Sequence, residues 1–260
     1  SYPIIAISAY LQEYLSTKPV AKKLESLFEQ APAGSERTIE ISQINSVAFR
    51  HVCFGYEDAS PILKDFSLKV NAGEKCIITG QSGSGKSTSM NLLLGYYEPQ
   101  SGEILINDSN AFCVKQLNEK IAIMRQDPVL FNDTLRNNLT MYRDMCDDEL
   151  IALLQKLNLH KFATPEGLDS MIREGGSNLS GGERKRIALA RTLLRKAPIT
   201  IVDEPLANVD SETAEKIEDI LTELSGGIVF VITHHFSDDK KKAFAKEFRF
   251  SHSHVEHGGI

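Results

Sequence analysis

An α/β fold with an inserted α-helical region is what the 260-residue sequence predicts, and three observations carry that expectation. The run Cys76-Ile77-Ile78-Thr79 reads as a buried strand that feeds a glycine-rich loop and then a helical segment, Ser89 to Leu94. Two further apolar runs, Ile199-Thr200-Ile201-Val202 and Ile228-Val229-Phe230-Val231-Ile232, read as buried strands that deliver polar residues at their ends. Residues 134–195 read as mostly helical, an all-α insertion among these strands.

Residues 1 to about 38 stand apart. Tyr10, Leu11, Tyr14 and Leu15, then Val20, Leu24, Leu27 and Phe28, recur at helical spacing on either side of Pro19, and Ala31-Pro32-Ala33-Gly34 reads as a linker. From Ile44 to Val70 the pattern is that of strands: Val47-Ala48-Phe49, Val52-Cys53-Phe54 and Phe66-Ser67-Leu68-Lys69-Val70, closed by the turn Asn71-Ala72-Gly73. Tyr56 has two readings at this stage, an aromatic face on which a base stacks or a partly buried strand-end tyrosine.

The loop Gly80-Gln81-Ser82-Gly83-Ser84-Gly85-Lys86-Ser87-Thr88 fits the phosphate-binding pattern G-x-x-x-x-G-K-[ST]. A polyphosphate needs several backbone N–H donors aimed at one point, and side chains there would block its approach. Glycines remove the obstruction and permit the positive φ values of a tight loop. Lys86 offers a mobile point charge to the β- and γ-phosphates, the Ser87 hydroxyl suits Mg²⁺, and the following helix N-terminus favours an anion. A flexible Gly/Ser loop would match by chance in roughly one chain of this length in a hundred.

Beyond it, Glu98-Pro99-Gln100-Ser101-Gly102 reads as a turn, Glu103-Ile104-Leu105-Ile106 as a strand, and Ile121-Ala122-Ile123-Met124 as another. Gln126 follows at a strand end before Pro128, suited to orient water or a metal ion, or to serve as a surface turn residue. Asp148 to Leu154 is the clearest helix of the insertion. Leu179-Ser180-Gly181-Gly182-Glu183 opens a helix whose Ser180 and Glu183 form the S-x-x-E capping box. A cap alone does not explain two glycines in a first turn, where each costs about 1 kcal/mol against alanine. Close approach of a phosphate to the backbone does.

The strand at Ile199 ends in Asp203-Glu204-Pro205, and alternation along a strand predicts that the two carboxylates point to opposite faces and do different work. Asp203 suits a Mg²⁺ carboxylate, Glu204 a general base toward water. Asp210 reads as the N-cap of a helix from Ser211 to Leu224. His234, at the carboxyl end of a buried strand, lies where open α/β sheets bind ligands, in reach of a γ-phosphate.

The net charge of −6 argues against a nucleic-acid partner, which would normally meet a basic face, and Lys240-Lys241-Lys242 reads as a solvated helix face. Cys53, Cys76, Cys113 and Cys146 lack metal-ligand spacing and read as reduced thiols. No run of eighteen apolar residues spans a membrane, Ile4-Ile5-Ala6-Ile7 is too short for a secretory signal, and the missing initiator Met suggests an excised piece.

With these motifs assembled, the chain resembles the nucleotide-binding domain of an ATP-binding cassette (ABC) transporter over about residues 45–235. Gly80–Thr88 is similar to the family's Walker A motif, Gln126 to its Q-loop, Leu179–Glu183 to its LSGGQ signature, and Ile199–Glu204 to its Walker B strand and catalytic glutamate. Ala207-Asn208-Val209-Asp210 falls at the D-loop, His234 at the switch histidine, and Tyr56 at the aromatic that stacks on adenine. Arg173-Glu174-Gly175-Gly176 is similar to the exporter segment that touches transmembrane coupling helices. The resemblance implies a P-loop NTPase (RecA-like) core with an antiparallel β subdomain and an inserted α-helical subdomain. The expected division is a helical linker over 1–43 and a cassette over 44–260, with its core at 44–126 and 196–260 and the helical subdomain at 127–195.

The family implies ATP and Mg²⁺ as ligands. Tyr56, the whole Gly80–Thr88 loop, Gln126, Ser180, Gly181, Gly182 and Asp210 are then expected around ATP. Ser87, Gln126 and Asp203 are expected at the metal, and Glu204, His234, Gln126 and Lys86 in catalysis. It also implies a second nucleotide-binding domain, paired head to tail so that each ATP lies between one Walker A loop and the other signature helix. Transmembrane domains of an exporter at the cytoplasmic face of the cell membrane complete the expected assembly. Three motif departures accompany the match: Ala-Asn-Val-Asp at the D-loop where Ser-Ala-Leu-Asp is usual, Glu183 for Gln, and His235 for Arg. Beyond Phe236 the match fades, although Val255-Glu256-His257-Gly258 is similar to the family's final strand and turn. None removes a hydrolytic group, and the D-loop leaves a heterodimer with unequal sites open. A rival reading is a soluble ABC ATPase of translation or chromosome maintenance, and a third is a nucleotide-binding regulatory module that does not hydrolyse.

Overall fold

Strands β1 (Ser46–Phe54) and β2 (Leu63–Asn71) pair antiparallel, with Val47 opposite Val70 and Phe49 opposite Leu68. From Phe66 to Asn71, β2 alternates covered and exposed side chains, as a strand with one face on a core must. The chain then enters β3 (Lys75–Gly80), turns through the glycine-rich loop and starts α1 (Lys86–Leu93). β4 (Ser101–Ile106) and β5 (Ser109–Asn110) complete a four-stranded sheet in the order β2-β1-β4-β5. These elements belong to a computed structural model that describes residues 38–56, 60–250 and, by backbone alone, 255–258.

β6 (Ile121–Met124) leads into the insertion, which contains β7 (Asp133–Thr134), α2 (Leu135–Thr140), α3 (Asp147–Lys156), α4 (Pro165–Leu168), β8 (Met171–Ile172) and α5 (Gly181–Leu194). The expectation of an all-α insertion is corrected here: Asp133 pairs with Ile172 and Thr134 with Met171 in a small antiparallel sheet, and short 3-10 turns interrupt the helices. The helix starts follow capping chemistry. Thr134 caps α2 through Asn137 N–H, Thr164 caps α4 with Pro165 in its first turn, and the Ser180–Glu183 capping box heads α5 with both of its reciprocal hydrogen bonds.

β9 (Ile199–Asp203), α6 (Ser211–Glu223), β10 (Ile228–Ile232), α7 (Asp238–Lys241), β11 (Lys246–Phe250) and β12 (Val255–Gly258) finish the chain. The central sheet runs β12-β11-β3-β10-β9-β6, parallel throughout except for the β11–β12 pair. Its residues sort by parity. Cys76, Ile78, Ile199, Ile201, Phe230 and Ile232 join a core shared with β1, β2, β4 and α1. Ile77, Val202, Val229 and Val231 face the other way, into a core with Ile187 and Leu189 of α5 and Ile217 and Leu221 of α6. Both faces are therefore covered, which is why these strands read as continuous apolar runs. Burying each such side chain contributes roughly 1.5–3 kcal/mol.

Ile39 bridges Val114 and the compact unit runs from Ile39 to Ile260. The helical pattern read in residues 1–37 lies outside the described residues. Among the described residues no helix is long and apolar enough to cross a membrane.

Candidate functional site

β3 sits between β10 and β11 in the central sheet and delivers Gly80 at its carboxyl end, the place where open parallel sheets present ligand sites. Gly80 has φ +140°, and a Cβ there would lie 2.2 Å from Phe250 O, so only glycine lets β11 pass this close. Gly85 has φ +105° and a Cβ would press on Ile62 and Leu63 at 2.9 Å. The loop path is thus set by packing on this chain's own strands.

Gly85 is also the N-cap of α1, with no side-chain cap and no acidic residue in the first turn. The donors of that turn remain for an anion, in contrast to α5 and to α6, where Asp210 accepts from Thr213 N–H at 2.9 Å. Lys86 is buried and folds back on the loop, its Nζ donating to Gly80 O and Gln81 O, both at 2.8 Å. Burial pulls the Lys86 ammonium below its ordinary value, while the Glu204 and Asp203 carboxylates act in the opposite sense.

Ser87 Oγ donates to Asp203 Oδ2 at 3.2 Å. The other oxygen, Asp203 Oδ1, is buried without any hydrogen-bond partner, the one such side-chain atom among the described residues. Burial pushes the Asp203 carboxyl up from its ordinary value; the Ser87 hydroxyl opposes this and the Glu204 charge adds to it. A buried carboxylate oxygen left bare costs about 1–3 kcal/mol or more, and a cation would relieve it. The donors present, one hydroxyl and one carboxylate, are hard oxygens of the kind that hold Mg²⁺. No group of three or more His, Cys, Asp or Glu among the described residues forms a metal cage. An ion at Asp203 therefore needs further oxygens, which phosphates supply.

Glu204 departs from the expected alternation. Its φ is +51°, so the extended backbone ends at Asp203, and Glu204 turns inward with its N–H held by Ile232 O at 2.9 Å. Both carboxylates are buried on the site side, and Glu204 Oε1 stands 3.3 Å from His234 Nε2. The His234 side chain is 44% exposed against 10% for Glu204, so the imidazole closes the solvent side of the carboxylate. Tyr56 joins the loop from β1: its hydroxyl is 3.3 Å from Thr88 Oγ1, and its ring meets Phe54 and Tyr97 edge to face, each at 5.2 Å. Tyr97 is a site residue that the motifs do not mark; the only signal for it is its place just past α1 in Tyr96-Tyr97.

The structure thus gathers Tyr56, the loop, Asp203, Glu204 and His234. Gln126 is exposed, two residues beyond Met124, whose register partner is Val202 beside Asp203. Of the other expected residues, Ser180 bonds Glu183 and Asp210 bonds Thr213, and none of these bonds reaches the loop. Gly181 and Gly182 have no packing reason to be glycine, since added Cβ atoms would meet nothing closer than 3.8 and 3.5 Å.

A family model described as ABC transporter matches residues 63–207, more than half of the chain. An ATP-dependent lipid A-core flippase from Syntrophus aciditrophicus (strain SB) is 36% identical over 226 residues, covering 84% of this chain and 37% of the relative. The mitochondrial iron-sulfur clusters transporter ATM1 of Debaryomyces hansenii is 40% identical over 176 residues, 66% of this chain and 25% of the relative. Among solved structures, a bacterial Atm1-family ABC exporter with ATP bound matches at a TM-score of 0.76 and 30% identity, covering 95% of this chain and 45% of that one. The chain spans about a third of the length of the curated relatives it matches.

Proposed function

The chain belongs to the ABC transporter family, and from that premise we propose that it is the ATP-hydrolysing motor domain of an exporter. The single observation that carries the catalytic reading is the bare, buried Asp203 Oδ1 beside Ser87, at the foot of an uncapped helix that begins with Lys86. An anion and a hard cation arriving together satisfy all three groups.

In this reading Lys86 leaves the Gly80 and Gln81 carbonyls for the β- and γ-phosphates, and the first-turn N–H groups of α1 cradle the same oxygens. Ser87, Asp203 and Gln126 would hold Mg²⁺, which would neutralise phosphate charge when bound. Tyr56 offers its ring to adenine, backed by Phe54 and Tyr97. Glu204, shielded by His234, polarises the attacking water and accepts its proton. His234 contacts the γ-phosphate and keeps Glu204 aimed.

Ser180, Gly181, Gly182 and Asp210 serve a second nucleotide-binding domain, whose ATP approaches the two glycines in the first turn of α5; the absence of any packing need for them supports this. Val129, Phe131, Tyr142 and Met171 form exposed apolar surface around the small β7–β8 sheet, suited to the transmembrane domains of the exporter at the cytoplasmic face of a membrane. The proteins named above are a flippase, a transporter and an exporter by their names, which favours an exporter over a soluble ATPase.

Glu204→Gln tests the proposal. It should lower ATP hydrolysis by at least a hundredfold and leave an ATP-bound dimer that survives size-exclusion chromatography. Unchanged hydrolysis with no stabilised dimer would sink the assignment.

A further inference from the structure

Fifty-three residues apart in sequence, Asn138 of α2 and Arg191 of α5 form a closed polar node that the site described above does not use. Asn138 is fully buried and all of its side-chain capacity is taken. Its Oδ1 accepts from Phe131 N–H at 2.8 Å and from Arg191 Nη2 at 3.0 Å, and its Nδ2 donates to Phe131 O and Thr134 O, each at 3.0 Å. Arg191 adds Nε to Asn138 O at 2.7 Å and Nη1 to Val129 O at 2.9 Å, with its guanidinium over the Phe131 ring. No carboxylate pairs with it among the described residues. Burial pulls the guanidinium below its ordinary value, a cost that a mere surface cation would not carry.

What the node grips is the segment 129–131, which begins three residues after Gln126. On the near side, Gln126 is tethered by Met124, whose register partner Val202 precedes Asp203. On the far side, Leu130 O accepts from Gly175 N–H, and Leu130 is buried in the core of the insertion. Between these anchors Gln126 and Asp127 are exposed. Arg191 lies on the helix headed by Ser180-Gly181-Gly182, about 16 Å further along its axis at 1.5 Å per residue.

We infer that Arg191 and Asn138 are positioning residues that lock the chain after Gln126 to the helix bearing Gly181 and Gly182, so that the placement of this helix sets where the Gln126 amide stands relative to Ser87 and Asp203. The inference rests on the nucleotide-site reading above and deepens it. Arg191 acts through its planar fork, which lysine cannot reproduce. The pair touches neither nucleotide nor metal.

The test is a binding titration of the full chain with a fluorescent ATP analogue, with and without Mg²⁺, on Arg191→Lys, Asn138→Asp, Gln126→Ala and the double variant Arg191→Lys/Gln126→Ala. Arg191→Lys and Asn138→Asp should leave the Mg²⁺-free Kd within about twofold and reduce the gain in affinity on adding Mg²⁺ by about three- to tenfold, as Gln126→Ala does. The double variant should be no worse than Gln126→Ala alone, since the node acts through that amide. Losses that multiply in the double variant, or an equal loss without Mg²⁺, overturn the inference. So does loss of cooperative thermal unfolding in both node variants, which would assign the pair to folding alone. Failure of the nucleotide-site reading shows separately, as a Kd unmoved by Lys86→Ala.

Discussion

A glycine in the first turn of a helix needs a reason, because alanine would favour the helix by about 1 kcal/mol. Gly80 and Gly85, in the loop that precedes α1, have their reason inside the chain, in the closeness of Phe250, Ile62 and Leu63. Gly181 and Gly182 find none there, since an added Cβ would sit in ordinary contact distance at worst. A requirement that this chain does not impose must come from what approaches it. Gly181→Ala should therefore leave the thermal midpoint unchanged or raise stability by up to about 1 kcal/mol, while ATP hydrolysis falls at least tenfold. Parallel melting and ATPase assays check both halves, and a destabilised but active variant would return Gly181 to a packing role. The same residue scale explains Glu204. Its polar type and its place after an apolar strand were readable, but its φ of +51° was not, because the turn is held by a bond to Ile232 on a neighbouring strand.

Elements were legible where their period extends over several residues. β3, β9 and β10 read as buried runs because both sheet faces are covered, α3 reads from its helical segment Asp148–Leu154, and α6 from the Asp210 cap. β7 and β8 hold two residues each, too short for any alternation, and 36 residues of chain separate them. The Arg191–Asn138 node was equally hidden, since a polar residue on an apolar helix face signals a partner without saying which. Arg136 shows how the inserted helices are tied. From α2 it donates Nη2 to Asp147 Oδ2 at 3.0 Å, in the first turn of α3, and Nε to Asp169 Oδ1 at 3.1 Å, just past α4. The Arg136 hydrogen bonds hold the Asp147 carboxyl below its ordinary value. With the folded value the lower one, this tie stabilises the fold above about pH 4 and is lost as pH falls through the folded value. Arg136→Gln should lower the thermal midpoint by a few degrees at pH 7, and the difference from the unaltered chain should shrink toward zero near pH 2. A difference that persists in acid would show that the guanidinium acts by packing and not by charge.

At the scale of the whole molecule, the chain carries a phosphate loop before the uncapped α1 and, at the head of α5, two glycines beside a capping box whose hydrogen bonds do not reach that loop. On the proposed reading the loop and α5 are halves of one site completed by a second copy, and a two-fold dimer would bring each loop to the other copy's α5. Subunit mixing decides this. Lys86→Ala removes the loop's charge but leaves α5 intact, and Gly182→Asp blocks α5 but leaves the loop intact. Each variant alone should be nearly inactive, because both sites of its dimer carry the same defect. In an equal mixture about half of the dimers are mixed, and each of those has one site with both defects and one with neither. ATP hydrolysis should then recover to roughly a quarter of the unaltered level, in proportion to the mixed-dimer fraction. Were each site contained within a single chain, no mixture of the two variants would regain activity, since no chain in it would hold a complete set of groups.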